Sequence, residues 1–358
     1  MKILVAGHRG YIGAVLVPFL RAAGHEVEGL DSGLYEGCDF KGGPGAADER
    51  PRDIRVVQPP ELEGYDAVVC LAALSNDPLG HLNRASTFSI NLHGTVHLAR
   101  AAKAASVPRF VFASSCSLYG AAGSTAVAED APMNPVTPYG ETKALAEGQL
   151  SSLADDEFSP TYLRNATAYG ASPRLRLDIV LNNLTGIAVT TGRVKLESDG
   201  TPWRPLVHVE DISRACAAVL EAPREVVHDE AFNVGRSEDN VRIFDIAELV
   251  SAAVPGSSVQ LAKDAGPDLR SYQVDFAKLS DTFADLRLGW TVQAGVDELV
   301  TAYHDHGLTL EEFMSSRFTR LRRIKELLTA GFVDELLHRQ TDLDFATLVH
   351  SGPTAVSA

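Results

Sequence analysis

Apolar and polar positions follow two different rhythms along the first half of the chain. Short apolar runs, of the kind that form buried strands, are separated by longer segments whose apolar residues recur at helical spacing. The predicted strands are ILVA (3–6), HEVEGL (25–30), IRVV (54–57), AVVCLA (67–72), RFVFAS (109–114) and TYLRN (161–165), and the predicted helices between them are 11–24, 83–105 and 137–153. Strands that alternate with helices predict a parallel sheet with right-handed crossovers, so we expect a doubly wound α/β domain.

The pattern changes after about Ala171, where Pro and Gly interrupt shorter segments. The expected elements there are strands at 193–198 and 258–263 and helices near 178–191, 211–222 and 244–253. They predict a smaller α/β domain over the carboxyl edge of the sheet, where ligands of such sheets bind. The expected organisation is a first domain at 1–170 with returning segments near 205–235, a mainly substrate-binding domain at 171–308, and a C-terminal helical extension and tail at 309–358.

A last helical region is expected from about Leu310 to His338. Thr309 and Glu312 have the spacing of a capping box at its start. Its apolar residues are expected to cover the core rather than to contact a partner subunit. They are Phe313, Leu321, Ile324, Leu328, Phe332 and Leu336.

Composition and charge exclude several classes of protein. The 358 residues carry a net charge of -15, which argues against nucleic-acid binding and an anionic-membrane surface, because both require basic patches. No apolar run approaches the roughly 18 residues of a membrane span. Four widely separated cysteines without a CxxC indicate neither a disulfide framework nor a metal site, so a reducing, cytoplasmic location is expected.

The first turn, VAGHRGYIG, places Gly7, Gly10 and Gly13 between a strand and a helix. Glycines there allow a tight turn and let the backbone approach a pyrophosphate at the helix N-terminus. Asp31 follows about 20 residues further on, where a carboxylate binds the adenosine ribose and repels a 2′-phosphate. This predicts NAD rather than NADP, although a phosphate contact from Arg9 leaves the preference open. The alternative role of Asp31 is to form a turn.

The segment PYGETK (138–143) places Tyr139 and Lys143 four positions apart at the start of a predicted helix. Side chains at i and i+4 share one helix face, so the hydroxyl and the ammonium can point at the same spot. A nearby cation stabilises a phenolate and lowers the pKa of the phenol, so the pair can transfer protons. Taken alone, the pattern more often marks a solvated surface pair.

The glycine triplet, SSCSLYG (114–120) and YGETK (139–143) occur in the order that resembles the extended short-chain dehydrogenases/reductases. Among these the chain resembles the NAD-dependent nucleotide-sugar epimerase/dehydratase family, over roughly residues 1–300. The resemblance implies a Rossmann-type fold, bound NAD and a nucleoside-diphosphate sugar as substrate. It also implies a homodimer formed by the long helix before Pro108 and the Tyr139 helix.

The same resemblance implies roles for individual residues. The catalytic set is Ser115, Tyr139 and Lys143: the tyrosine takes the proton of the sugar C4 hydroxyl, the serine binds the same oxygen, and the lysine lowers the tyrosine pKa and holds the nicotinamide ribose. Cofactor contacts are implied at Gly7, Arg9, Gly10, Tyr11, Ile12, Gly13, Asp31, Asp53, Ile54, Leu71, Ala72 and Ala73, and also at Tyr139 and Lys143. Substrate contacts are implied at Ser117, Asn165, Asn183, Arg204 and Arg270, with both arginines on the diphosphate. Asn91 either lies near the site or bonds the backbone.

The residues after Ser115 bear on the reaction. Sugar 4,6-dehydratases of this family carry an Asp-Glu pair there, and this chain has Cys116 and Ser117, so dehydration is not expected. Related 3,5-epimerases use a cysteine, but Cys116 is one strand position away from that site and is expected to be buried. No histidine follows AYG (168–170), which also argues against 3,5-epimerisation.

The leading hypothesis is a nucleotide-sugar 4-epimerase, which oxidises C4 to a 4-keto sugar and then reduces it again. A 4-ketoreductase that consumes external NAD(P)H would use the same residues and stays open as an alternative. A non-sugar alcohol dehydrogenase of the same fold and a non-catalytic NAD-binding module are the remaining alternatives.

Overall fold

The computed structural model describes residues 1–40, 51–75, 80, 82–120, 125–266, 271–340 and 345–350. The strands are β1 (Lys2–Ala6), β2 (Glu26–Leu30), β3 (Ala67–Cys70), β4 (Arg109–Ser115), β5 (Ser159–Asn165), β6 (Thr167–Tyr169), β7 (Arg193–Ser198), β8 (Trp203–His208), β9 (Glu230–Val234), β10 (Asn240–Arg242) and β11 (Ser258–Gly266). The helices are α1 (Gly13–Ala22), α2 (Arg84–Thr87), which continues through a π-helical segment (Phe88–Gly94) into α3 (Thr95–Ala104), α4 (Pro138–Ser151), α5 (Val180–Thr191), α6 (Val209–Glu221), α7 (Arg224–Val227), α8 (Ile243–Ala253), α9 (Ala277–Thr282), α10 (Val292–His306), α11 (Leu310–Met314), α12 (Arg320–Thr329) and α13 (Thr347–His350). Among the described helices, none is long and apolar enough to cross a bilayer.

Six parallel strands form the central sheet in the order β2-β1-β3-β4-β5-β9. All four residues of β3 are fully buried, as expected for a central parallel strand that helices cover on both faces. Helices α1 and α6 pack on one face of the sheet, and α3 and α4 pack on the other. The predicted doubly wound α/β fold is confirmed.

The predicted strand at IRVV (54–57) is wrong. These residues form a turn without strand pairing, and the third strand of the sheet is β3. Ile54 and Val57 are nevertheless buried, because they pack with Leu62, Leu92 and Val96 beside the sheet. Apolar character here reflects a loop that covers the core, and a short apolar run alone does not separate that case from a strand.

A second unit, built mainly from residues after β5, has its own small sheets. β6, β8 and β10 form one three-stranded sheet, and β7 pairs with β11 in another. Helices α5, α8 and α10 pack around them in a separate apolar core. β9 lies in the segment expected to return to the first domain, and it forms the sixth strand of the central sheet.

The C-terminal segment, residues 309–350 where described, packs first against the second unit and then against loops of the first half of the chain. The expected long helix is broken into α11 and α12, and Thr309 caps α11 by accepting a hydrogen bond from the Glu312 N–H. Phe313 joins the core of the second unit, and Ile324 packs with Leu34. Most of the apolar residues singled out from the sequence therefore cover the core, whereas Leu336 is exposed.

A buried charged network ties β4, β5 and α4 together. The side chains of Arg164 and Glu147 are each 5% exposed, and Arg164 Nη2 lies 2.7 Å from Glu147 Oε2. Ser114 Oγ donates to the same carboxylate, and Arg164 Nη1 donates to the Tyr119 hydroxyl at 2.9 Å. A buried ion pair of this kind is costly to break because the remaining charge has no water around it.

We predict that Arg164→Met lowers the free energy of unfolding by about 3–5 kcal/mol, since it leaves the Glu147 carboxylate buried without its counter-charge. The double variant Arg164→Met/Glu147→Leu is expected to recover part of that loss in urea denaturation. Arg84→Met, which breaks a surface pair with Glu141, is the control and should cost at most about 1 kcal/mol. The prediction would be contradicted if the double variant lost as much unfolding free energy as Arg164→Met and Glu147→Leu lose together.

Candidate active site

A cleft of about 920 Å³ lies at the carboxyl ends of the central strands, where the second unit meets the sheet. Its walls include the turn after β1, the ends of β2 to β5, the start of α4, and parts of α5, β7 and β8. Its volume is in the range that holds a dinucleotide or a comparably large ligand. The cleft therefore has the position and size expected for the binding site.

The glycine turn gives the cleft a backbone floor. Gly7 has φ +87°, and a Cβ added to it would lie 2.8 Å from the Ala72 nitrogen. A Cβ on Gly13 would lie 2.4 Å from the Gly7 carbonyl oxygen. Only glycine allows α1 to begin this close to β1, and Gly10, Tyr11 and Ile12 line the cleft with them. A helix N-terminus held in this way is suited to bind a diphosphate.

Asp31 is held at the edge of the same cleft. Its carboxylate accepts hydrogen bonds from the Arg9 N–H at 3.1 Å and the Gly33 N–H at 2.9 Å. It thus both stabilises the turn and lines the cleft. The Arg9 guanidinium pairs with Glu36 at 3.1 Å, and Arg9 is not among the residues that line the cleft. The structure therefore does not bring the Arg9 side chain to the cofactor wall.

The remaining residues implied for the cofactor lie along the same end of the cleft. They are Asp53, Ile54, Leu71, Ala72 and Ala73. The Asp53 carboxylate is held by Arg55, whose Nε lies 2.9 and 3.0 Å from its two oxygens. A glycine floor, a carboxylate at the end of β2 and apolar strand ends together fit a dinucleotide with an unmodified adenosine ribose.

Tyr139 and Lys143 lie on the first turn and a half of α4, which begins where Thr137 Oγ1 accepts from the Gly140 N–H. Tyr139 is half-buried and Lys143 is 2% exposed, and both line the cleft. Lys143 Nζ donates to the Ala113 carbonyl at 2.6 Å and lies 5.7 Å from the centre of the Tyr139 ring. Burial lowers the pKa of Lys143 to about 8. The pair is therefore a buried cation beside a phenol, not a solvated surface pair.

Ser115 ends β4 directly beside Asn165, its partner in the register of β5. Ser117 donates to Ser115 Oγ through both its hydroxyl, at 3.0 Å, and its N–H, at 3.2 Å. Asn165 Oδ1 is buried and has no hydrogen-bond partner among the described residues. Since all three residues line the cleft, they form a polar wall next to Tyr139.

Cys116 faces away from this wall. Its thiol is fully buried and donates to the Arg164 carbonyl at 3.0 Å, and burial raises its pKa well above the usual value. The expectation of a buried Cys116 is confirmed, and a buried thiol of this kind is unsuited to acid–base chemistry.

The Asn91 side chain hydrogen-bonds to the backbone, which was one of its two expected roles. Its amide accepts from the Leu74 N–H at 2.8 Å and donates to the Leu74 carbonyl at 3.0 Å. It also donates to Thr142 Oγ1 at 3.3 Å, so it links the loop after β3 to α4.

The implied substrate residues Asn183 and Arg204 line the far side of the cleft. Asn183 Nδ2 donates to the Leu177 carbonyl at 2.7 Å, and Arg204 Nη1 donates to the Trp203 carbonyl at 2.9 Å. Arg270 lies outside the described residues. The cleft thus joins residues separated by more than a hundred positions in the sequence.

Four arginines that line the cleft were not predicted from the sequence: Arg52, Arg55, Arg176 and Arg320. Arg176 pairs with Asp178 two residues later, but that spacing alone does not mark a cleft residue. Arg320 lies on α12, in a segment expected only to cover the core, and no local pattern distinguishes it from the neighbouring Arg322 and Arg323.

Comparison with known proteins gives a consistent answer. A family model described as the NAD dependent epimerase/dehydratase family matches residues 3–235. The UDP-glucose 4-epimerase of Lactobacillus helveticus is 30% identical over 327 residues, which cover 86% of this chain and 97% of that protein. MoeE5 in complex with UDP-glucuronic acid and NAD is a structural neighbour with 25% identity and a TM-score of 0.73, covering 85% of this chain and 99% of that one. DesIV, a dTDP-glucose 4,6-dehydratase from Streptomyces venezuelae solved with NAD, is 25% identical with a TM-score of 0.72, covering 87% and 99%.

The extent of the family match agrees with the glycine turn, the carboxylate at the end of β2 and the Tyr-Lys pair of α4. The chain belongs to the NAD-dependent epimerase/dehydratase family.

Proposed function

We propose that the protein is an NAD-dependent nucleotide-sugar 4-epimerase. The observation that carries the proposal is the placement of Ser115, Tyr139 and Lys143 in one cleft with the glycine turn, while the positions after Ser115 hold no acid. An Asp-Glu pair at Cys116 and Ser117 would indicate a dehydratase, and it is missing. The Lactobacillus helveticus relative is named a UDP-glucose 4-epimerase, which agrees with this choice.

NAD is the cofactor of the family, and when bound it supplies a hydride acceptor and donor for C4 of the sugar. The backbone of Gly7, Gly10 and Gly13 would hold its diphosphate at the start of α1. Asp31 would bind the adenosine ribose, and Lys143 the nicotinamide ribose. The contacts implied for Tyr11, Ile12, Asp53, Ile54, Leu71, Ala72 and Ala73 belong to the same proposal.

Proton transfer in this proposal is the task of Tyr139. Its oxygen removes the proton of the sugar C4 hydroxyl during oxidation and returns a proton during reduction. Ser115 donates a hydrogen bond to the same sugar oxygen. Because the pKa of Lys143 is about 8, its side chain is mostly cationic at neutral pH, and a cation beside a phenol favours the phenolate.

The sugar nucleotide would lie between the polar wall and the far side of the cleft. Ser117 and Asn165 would contact the sugar, and the buried, unpartnered Asn165 Oδ1 can accept a hydrogen bond from one of its hydroxyls. Asn183 and Arg204 would hold the diphosphate, with Arg270 as the second arginine of the clamp. MoeE5 binds UDP-glucuronic acid, which makes uridine diphosphate sugars the first substrates to test.

A 4-ketoreductase would use the same catalytic residues but would consume external NAD(P)H. The relatives favour the epimerase, since the Lactobacillus helveticus protein carries that name.

A cytoplasmic location belongs to the same proposal, because all four cysteines are free and buried.

We predict that the purified protein contains bound NAD and interconverts UDP-glucose and UDP-galactose, or UDP-glucuronic acid and its C4 epimer, without added cofactor. Tyr139→Phe should lower kcat by about 10²–10⁴-fold while bound NAD is retained, because only the proton acceptor is lost. Chromatography of the sugar nucleotides and of the released cofactor measures both quantities. Turnover that requires stoichiometric NAD(P)H would instead identify a ketoreductase.

We predict that Lys143→Met abolishes turnover without lowering stability at pH 7. The Lys143 pKa falls from 10.5 in the unfolded chain to about 8 in the fold, so the unfolded state holds one more proton between these values. The wild-type protein should therefore gain about 2 kcal/mol relative to the variant between pH 7 and 9.5. Urea denaturation of cofactor-free protein at several pH values measures the difference, and a constant difference would refute the assignment.

A homodimer through α3 and α4 is also part of this proposal. Leu145 on α4 is 45% exposed, so its apolar side chain is available to such an interface. Leu145→Glu is expected to convert a dimer to a monomer in sedimentation velocity, with Leu310→Glu as the control, since Leu310 on α11 is equally exposed and lies outside α3 and α4. A monomeric wild-type protein would rule the dimer out.

A further inference from the structure

The C-terminal segment closes the end of the cleft where the cofactor is proposed to lie. Its residues Ile324 and Leu327 pack with Leu34 and Leu74, which follow β2 and β3. Arg323 is fully buried and donates to the Glu36 carbonyl at 3.1 Å. The segment is therefore fixed by apolar packing and backbone hydrogen bonds to the loops that border the adenosine side.

This anchoring continues to the end of the segment. Arg55, which also holds Asp53, donates through Nη1 to the Leu336 carbonyl at 2.7 Å. Leu337 itself lines the cleft. The C-terminal segment thus forms part of the wall of the cleft, in addition to covering the core.

Arg320 is the charged residue that this segment brings into the cleft. It is 3% exposed, lines the cleft, and lies 4.1 Å from the centre of the Tyr35 ring. Its Nη2 donates to the Arg174 carbonyl at 3.2 Å, whereas its Nη1 is buried with no hydrogen-bond partner among the described residues. Buried polar groups are normally paired, so an unpaired N–H of a cation in a cleft indicates a ligand.

Arg176, on the facing loop, also has a buried N–H group without a hydrogen-bond partner among the described residues. It is 6% exposed, and its Nε and Nη1 are engaged by Asp178 at 2.9 Å and by Ser75 Oγ at 2.8 Å. Its Nη2 is buried and has no partner within the described chain. The pair therefore offers two unused donor groups to one region of the cleft.

The charges of this region do not balance. Asp178 is the carboxylate that holds Arg176, and it also accepts from the Arg320 backbone N–H at 3.3 Å. One carboxylate and two guanidinium groups leave an excess positive charge away from water, and burial lowers the pKa of Arg320. Such a site is stabilised by an anionic ligand.

The surroundings indicate which anion this is. Tyr35 follows β2, Ser75 follows β3, and Tyr11 belongs to the glycine turn, where a dinucleotide diphosphate rests in sheets of this kind. We propose that Arg320 and Arg176 bind a phosphate oxyanion of NAD, so that the C-terminal segment retains the cofactor between turnovers. Retention rests on the proposed function, because an epimerase reuses its bound cofactor.

The test compares Arg320→Gln with Arg322→Gln, an exposed arginine on the same helix that controls for loss of one charge. Protein loaded with NAD is diluted and gel-filtered at intervals, and the retained NAD is measured by chromatography. Arg320→Gln should release NAD about tenfold faster or more, and Arg322→Gln at the wild-type rate. Arg320→Lys, which keeps the charge without the forked donor, should lie between them.

UDP binding to the NAD-loaded protein, measured by calorimetry, separates the possible sources of the anion. Unchanged UDP affinity in Arg320→Gln with faster NAD release supports the proposal. Weaker UDP binding with unchanged NAD release places the arginines on the substrate side and overturns it. Equal NAD release by wild-type protein and Arg320→Gln, or by Arg320→Lys and Arg320→Gln, also overturns it. None of these measurements uses turnover, so an inactive wild-type protein would refute the proposed function and leave this result standing.

Discussion

The site depends on an ammonium group held away from water beside a phenol. Lys143 donates to the Ala113 carbonyl near the carboxyl end of β4, and this bond fixes the position of the ammonium group relative to Tyr139. Burial favours the neutral form of lysine and lowers the Lys143 pKa to about 8. The side chain therefore stays mostly cationic at neutral pH. A cation poised in this way is costly for folding and useful for chemistry. The surrounding structure must therefore position the strand end and the helix start together.

Three contacts supply that positioning. Arg164 and Glu147 join β5 to α4, and Ser114 on β4 bonds the same carboxylate. From the other side, Asn91 links the loop after β3 to Thr142 on α4, next to Lys143. Because these groups are buried, they hydrogen-bond one another instead of water, so a shift of α4 relative to the sheet would break several bonds at once. Helix α4, which carries Tyr139 and Lys143, is thus tied to β4, to β5 and to the loop after β3.

Local patterns in the sequence predicted much of this site. Contacts between residues far apart in the sequence could not be predicted. The glycine turn and the Tyr139–Lys143 pair were readable because backbone sterics and helical periodicity act over a few residues. The turn at 54–57 was mistaken for a strand because burial, not pairing, makes it apolar. Arg320 could not be predicted, since its place in the cleft depends on which loop α12 packs against. Arg9 had a plausible position in the chain, but Glu36 directs its side chain elsewhere.

Net charge and local charge also have to be separated. A charge of -15 argues against a polyanion surface, yet the cleft is lined by Lys143, Arg176, Arg204 and Arg320, each less than a tenth exposed. Surface charges are screened over about 8 Å at physiological ionic strength, whereas buried ones are screened far less. A diphosphate inside the cleft would therefore interact mainly with the buried groups of its lining rather than with the acidic surface. The acidic exterior disfavours long polyanions, while the buried cations of the cleft are compatible with the small phosphate-bearing ligands proposed for it.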